Sequence, residues 1–125
     1  MALGKALEWG KCDWFQINKD VRRKCFQGSE NFTITMGEIQ PGKKPGPHKH
    51  CYEQTAIILK GKCDFHIEDE VYTLSGDLED GGISFLTIPP EALHWIENPY
   101  DEPCLNMDIF CPKRAEDRPE SVQVR

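Results

Sequence analysis

The stretch "PGKKPGP" at positions 41–47 packs five prolines and glycines into seven residues. No helix or strand interior tolerates that density, because proline lacks a backbone donor and glycine leaves the chain unrestrained. The rest of the chain is punctuated in the same way. "NFTITMGEI" (31–39) alternates, with Phe32, Ile34 and Met36 on one side. "QTAIILKG" (54–61) reads as an apolar strand closed by Gly61, and "KCDFHIEDEVYTL" (62–74) as a hairpin turning around residues 68–70. An acidic loop, "SGDLEDGG" (75–82), precedes "ISFLTIPP" (83–90), a strand ended by prolines, and "CLNMDIF" (104–110) is the last clear strand. Short strands at close spacing, with little 3.6-residue periodicity, predict an all-β sandwich or barrel. Residues 3–14 have room for one turn of helix, and the charged tail after Arg114 reads as a frayed end.

A chain of 125 residues is one domain's worth, enough to bury roughly two-thirds of its unfolded surface. Its 21 acidic and 15 basic side chains are interspersed and leave a formal charge of -6, which argues against a nucleic-acid partner. The opening "MALGKALEWGKCDWFQI" lacks a long apolar run before a small-residue cleavage site. It reads as neither an export signal nor a membrane span, so the expectation is a cytoplasmic protein with no membrane partner. Six cysteines occur with no Cys-x-x-Cys pair, which reads as reduced thiols acting as small apolar residues. Cys51 stands among candidate metal ligands, but alternation points it away from His50.

Those ligands lie in "PHKHCYEQ" (47–54). On an extended strand His48, His50, Tyr52 and Gln54 share one face, while Lys49, Cys51 and Glu53 take the other. Two imidazoles, a phenol and a carboxamide make a poor core face and a good metal-facing one. One extended segment cannot wrap an ion, and "IPPEALHWIEN" supplies a third imidazole, His94, from forty-four residues later. Imidazole with an oxygen donor suits one divalent ion, with zinc, nickel, iron and manganese all acceptable. Glu53 competes with Gln54 for the fourth position, and alternation favours Gln54. A neutral amide beside three neutral imidazoles leaves the ion its full charge, which favours Lewis-acid chemistry over redox cycling. His66, with Asp64 and Glu68 on its face, reads as an ordinary strand histidine. In "CLNMDIFCPKR", Leu105, Met107 and Ile109 form a packing face, and Asn106, Asp108 and Phe110 line either solvent or a polar cavity.

Two spacings carry a family resemblance. Gly42, His48, His50, Gln54 and Gly61 match one motif of the cupins at every step, and Pro89, His94 and Asn98 match the other. Two departures are that Glu91 stands where a glycine is usual and that Gly82 lies one residue too far upstream. The resemblance implies a single-domain double-stranded β-helix, or jelly roll, over residues 1–125 with its core at about 21–114. Within that superfamily the chain resembles the KdgF-like cupins of pectin and alginate breakdown, which convert 4,5-unsaturated monouronates to the open-chain keto form. In them an aspartate, a phenylalanine two residues on and an arginine four further on follow the last strand beside the metal. Asp108, Phe110 and Arg114 reproduce that spacing.

The resemblance implies a metal on His48, His50, Gln54 and His94, with Asp108 as general acid and base. It implies that Arg114 pairs with the carboxylate of a sugar acid, that Phe110 faces the sugar ring and that Tyr52 hydrogen-bonds in the cavity. It also implies a homodimer, for which "ISFLTI" offers an exposed apolar strand. For Arg114 a surface ion pair with Glu116 or Asp117 is the other reading, and Tyr52 fits a core role equally well. Two other functions suit the same ligands: an iron- or nickel-dependent dioxygenase, and a non-enzymatic sugar- or metal-binding module.

Overall fold

A computed structural model of the chain describes residues 3–115 and 121–122. Among these residues are a short 3-10 turn, Trp9–Lys11, and nine strands: β1 Phe15–Gln16, β2 Val21–Phe26, β3 Thr33–Ile39, β4 Glu53–Ile67, β5 Glu70–Asp77, β6 Ser84–Ile88, β7 His94–Glu97, β8 Cys104–Cys111 and β9 Ser121–Val122. The strands pair in the order β1-β2-β3-β8-β4-β5, with β6 and β7 also on β4 and β9 on β2. This is the all-β jelly roll expected from the sequence. The single helical turn falls within residues 3–14, and the rest of the tail beyond residue 115 lies outside the described residues apart from β9.

Gly61 does not close a strand. It bends one fifteen-residue strand, β4, whose first half pairs with β8 and β6 and whose second half pairs with β5 and β7. The register slips between Ile58 and Lys60, and Gly61 adopts φ +86°. A β-carbon there would lie 2.5 Å from the Pro103 carbonyl oxygen. Glycine is required on both counts: the left-handed backbone and the close approach of β8. The bend lets one strand serve both layers of the roll.

Antiparallel neighbours point their side chains to the same side, and the register fixes what meets inside. Thr33 pairs with Phe110, Thr35 with Asp108, Gly37 with Asn106 and Ile39 with Cys104. Across β8, Gln54 pairs with Phe110, Ala56 with Asp108 and Ile58 with Asn106. The buried face of β3 is therefore Thr33, Thr35, Gly37 and Ile39, and the apolar trio Phe32, Ile34 and Met36 lies half-buried on the outside. β8 repeats the inversion, with its apolar face outward and its mixed face buried. The main apolar cluster gathers Val21, Ile39, Ile58, Phe65, Ile67 and Ile88, with Cys63 and Cys104 fully buried beside them. The cysteines form no disulfide.

Replacing Gly61 by alanine forces a β-carbon into the β8 backbone at a positive φ. The loss expected in urea unfolding is about 3 kcal/mol, combining backbone strain and overpacking. A loss below about 1 kcal/mol would show that the bend does not depend on glycine.

Candidate metal centre

His48 and His50 come from the chain entering β4, and His94 opens β7. The backbone joins them directly: the His48 amide donates to the His94 carbonyl at 3.0 Å, and the His94 amide returns a bond to the His48 carbonyl at 2.9 Å. The Glu91 amide donates to the His50 carbonyl at 2.8 Å, which closes the same zipper one step further. As a result the three rings crowd together, with His94 centroids 4.3 Å from His48 and 4.8 Å from His50.

In each ring Nδ1 faces a backbone carbonyl two residues away. His48 meets Gly46 at 2.9 Å, His50 meets Tyr52 at 3.1 Å and His94 meets Ala92 at 2.9 Å. A carbonyl only accepts, so each Nδ1 carries the proton and each Nε2 keeps its lone pair. One ligand atom from each ring falls within 4.8 Å of the others. The Nε2 of His94 is buried without a hydrogen-bond partner among the described residues. His50 Nε2 faces the Gln54 amide oxygen at 3.1 Å, so both of its ring nitrogens look at acceptors. A neutral ring cannot satisfy both, whereas a cation shared by Nε2 and the amide oxygen can. The three histidines are thus positioned to bind a metal, and Gln54 offers it an oxygen.

The electrostatics agree. Burial holds His94 down to about 4, and the like-charged neighbours His48, His50 and Arg114 push in the same direction. Desolvation also lowers His48, followed by repulsion from His50, Arg114 and Arg23. His94 therefore stays neutral and metal-competent well into mild acid, and His48 gives up its proton more readily than a free imidazole.

Behind the histidines lies a buried polar chain. The Gln54 Nε2 donates to Asp108 Oδ1 at 2.9 Å, and Asn106 Nδ2 donates to Asp108 Oδ2 at 3.0 Å. Thr35 lies directly opposite Asp108 in the strand register and also favours the charged carboxylate. Burial nevertheless raises the Asp108 carboxyl above its ordinary range, against these bonds and the nearby Arg23 charge. A buried carboxyl with a raised pKa suits proton transfer near neutrality. Asp108 and Phe110 lie on β8 itself, not after it, and only Arg114 follows the strand.

The Arg114 guanidinium sits 4.6 Å from the Phe110 ring centroid and 5.6 Å from that of Tyr52. Its amide donates to Thr33 Oγ1 at 3.0 Å. The Tyr52 hydroxyl accepts from the Ala115 amide at 2.7 Å, so Tyr52 acts here as a platform for the segment carrying Arg114. His48, Gln54, His94, Asp108, Phe110 and Arg114 all line one small cavity, of about 80 Å³.

The remaining motif residues are structural. Gly42 takes φ +84°, and its amide donates to the Asn98 carbonyl at 2.8 Å. The Asn98 side-chain amide donates to the Ile39 and Glu102 carbonyls, tying the two motifs together. Glu91 holds φ +68°, so the turn keeps the geometry of the usual glycine with a glutamate in it. Glu68 clasps the same loop, exchanging bonds with the Leu93 backbone through its own amide and its carboxylate.

Glu53 and Cys51 are exposed and point away from the cavity. His66 lies on the outer face of β4, stacked on Trp95 at 4.5 Å and paired with Glu97 at 2.9 Å. Glu116 and Asp117 lie outside the described residues. Two cavity residues, Arg23 and Thr35, escaped the sequence reading. Arg23 hides in "VRRKCF", where three consecutive cations look like a solvated surface. Thr35 hides opposite an apolar trio that looked like the inside.

The sequence model of the cupin domain matches residues 35–110. No curated protein sequence matches the chain closely enough to count as a relative. Among solved structures the chain is similar to KdgF from Halomonas sp., with 20% identity and a TM-score of 0.72, over 84% of this chain and 92% of that one. It is similar to an RmlC-like cupin from Shewanella frigidimarina, at 15% identity and a TM-score of 0.72, over 85% and 88% of the two chains. It also resembles the polyketide cyclase RemF from Streptomyces resistomycificus, at 17% identity and a TM-score of 0.73, over 91% and 83%. At these identities the likeness is one of fold.

Alanine at His94 is expected to abolish stoichiometric metal binding, read by elemental analysis after dialysis, while far-ultraviolet circular dichroism stays β-like. Glycine at Glu91 relieves the left-handed strain and is expected to keep the metal with stability equal or higher by about 1 kcal/mol. Full metal content in the His94 variant would overturn the assignment.

Proposed function

We propose that this chain, which belongs to the cupin domain family, is a metal-dependent enzyme that opens the ring of 4,5-unsaturated uronates to the keto form. The observation that carries the reading is the Gln54 amide, whose oxygen faces the histidine cluster while its nitrogen holds Asp108. A single side chain sets the acid/base group at a fixed distance from the metal ligands. The fold shared with KdgF from Halomonas sp. supports the same reading, as does the spacing of Asp108, Phe110 and Arg114.

A divalent ion held by His48, His50, His94 and Gln54 would supply Lewis acidity toward the substrate's oxygens. Arg114, pre-set by stacking on Phe110, pairs with the uronate carboxylate and orients the ring. Asp108 accepts the proton of the anomeric hydroxyl as the bond from that carbon to the ring oxygen breaks. It returns the proton to the enol carbon that becomes the methylene of the ketone. Substrate and product are isomers, so the step needs no oxidant or co-substrate. His48 stands exposed at the mouth of the cavity, where a substrate would enter.

We assign the outer sheet face to a second copy of the chain. Phe85, Ile57, Met107 and Met36 form one continuous apolar row across β6, β4, β8 and β3. Phe85 is 69% exposed at its end. A flat apolar row of this kind matches itself across a two-fold axis. Six reduced cysteines support a cytoplasmic location. No helix among the described residues is long and apolar enough to cross a membrane.

The decisive assay follows loss of ultraviolet absorbance of 4,5-unsaturated galacturonate above its spontaneous rate. Metal-loaded protein is expected to accelerate it, chelator-stripped protein to lose the effect, and Asp108→Asn to lower the rate by at least about 100-fold. No acceleration with zinc, nickel, iron or manganese would shift the reading to oxygen-dependent chemistry at the same histidines. For the assembly, sedimentation equilibrium is expected to give a dimer that Phe85→Glu converts to monomer. A monomeric wild type would remove the second copy.

A further inference from the structure

The chemistry above uses neither Arg23 nor the amide oxygen of Asn106, yet both belong to the same cavity wall. Arg23 lies on the inner face of β2, directly opposite Gly37 of β3, which is in turn opposite Asn106 of β8. The glycine between them leaves room for the Asn106 amide: a β-carbon there would lie 2.8 Å from Asn106 Oδ1. Arg23 and Asn106 are thus brought together across a position that has no side chain to separate them. Arg23 is close enough to Asp108 and His48 to bias both electrostatically.

Asn106 is 4% exposed. Its Nδ2 is committed to Asp108, which fixes the orientation of the amide. Its Oδ1 is buried and has no donor among the described residues. Leaving a buried carbonyl oxygen unmatched costs about 1–3 kcal/mol, and such an atom in a cavity wall calls for a donor from the occupant. Arg23, on the same cavity wall, carries a guanidinium, a planar group that only donates. A fixed acceptor and a donor on one cavity wall fit neighbouring hydroxyls: one gives its proton to Asn106 Oδ1, and the oxygen of the next accepts from Arg23.

We propose that Arg23 and Asn106 form a reader of a vicinal diol and set which hydroxyl configuration the cavity accepts. The inference rests on the sugar-acid substrate proposed above and names the part of it that is recognised. In a 4,5-unsaturated monouronate the hydroxyls that remain are on C1, C2 and C3, so every adjacent pair includes C2. The configuration at C2 is therefore what the pair discriminates. Arg114, on the segment following β8, keeps the carboxylate.

The test is isothermal titration calorimetry of the metal-loaded protein with glucuronate and mannuronate, which differ at C2, and with the neutral sugars glucose and mannose. Wild type is expected to prefer one C2 epimer by about ten-fold, the worth of one well-placed hydrogen bond. Arg23→Gln and Asn106→Ala are each expected to bring the epimers within two-fold with metal content unchanged, Asn106→Ala also lowering the unfolding temperature because the buried Asp108 carboxylate loses a donor. Both variants are expected to retain the preference for uronate over neutral sugar. Equal binding of the epimers by wild type, discrimination surviving in both variants, or no sugar binding at all would overturn the diol reader. A wild type that discriminates glucose from mannose through Arg23 and Asn106, yet does not favour uronates, would keep the reader and reject the uronate substrate.

Discussion

The reciprocal backbone bonds between His48 and His94 are the constraint on which the site depends. They clamp a proline-rich entry segment to the start of β7, and the imidazoles on either side of the clamp cannot avoid one another. Three neutral rings with converging lone pairs repel slightly and gain nothing from packing. What holds them is outside the rings: three carbonyls that take the Nδ1 protons, and a turn held in the left-handed region at Glu91. The cost of that arrangement is met by strand pairing elsewhere in the roll.

The interior is divided accordingly. Rows of Thr, Asn, Asp and Gln run across β3, β8 and β4 where a sandwich would ordinarily place aliphatic side chains. Each buried polar atom in those rows costs stability unless matched, and the chain of Gln54, Asp108, Asn106 and Thr35 matches nearly all of them. The two buried side-chain atoms left over among the described residues, His94 Nε2 and Asn106 Oδ1, both lie in this cavity. One is a lone pair suited to a cation and the other a lone pair suited to a hydroxyl. An unmatched atom beside a solvent-open cavity marks where an occupant contributes, whereas the same atom in a sealed core would be a defect.

The motif histidines were legible because strand alternation and spacing leave them few places to go. Gln54 over Glu53 followed from the same parity, and the burial of one and exposure of the other match it. Parity alone could not say which face of a strand is inside. β3 and β8 each present an apolar and a polar face, and in both the polar face is buried, so Thr35 passed unnoticed and the cavity face of β8 stayed open between two readings. Arg23 was hidden for a related reason. A run of three cations reads as surface, although Arg22 pairs outward with Glu38, Lys24 packs over the Trp14 ring, and only Arg23 turns in. Gly61 misled in the opposite sense, because a glycine that permits a bend and one that ends a strand look alike in one dimension.

The link from the metal ligands to Asp108 runs through an amide, and this choice of residue has consequences that a carboxylate would not reproduce. An amide presents an acceptor on one side and a donor on the other, so Gln54 can face a cation and a carboxylate at once without carrying net charge. A glutamate at position 54 would cancel one unit of the ion's charge and would meet Asp108 as a second buried anion. With the neutral amide, a cation bound by the histidines would keep its full charge, and burial remains the main influence raising the Asp108 carboxyl. A cation held there would be a strong electrophilic centre beside a group able to exchange a proton, the pairing that the proposed ring opening followed by ketonisation requires.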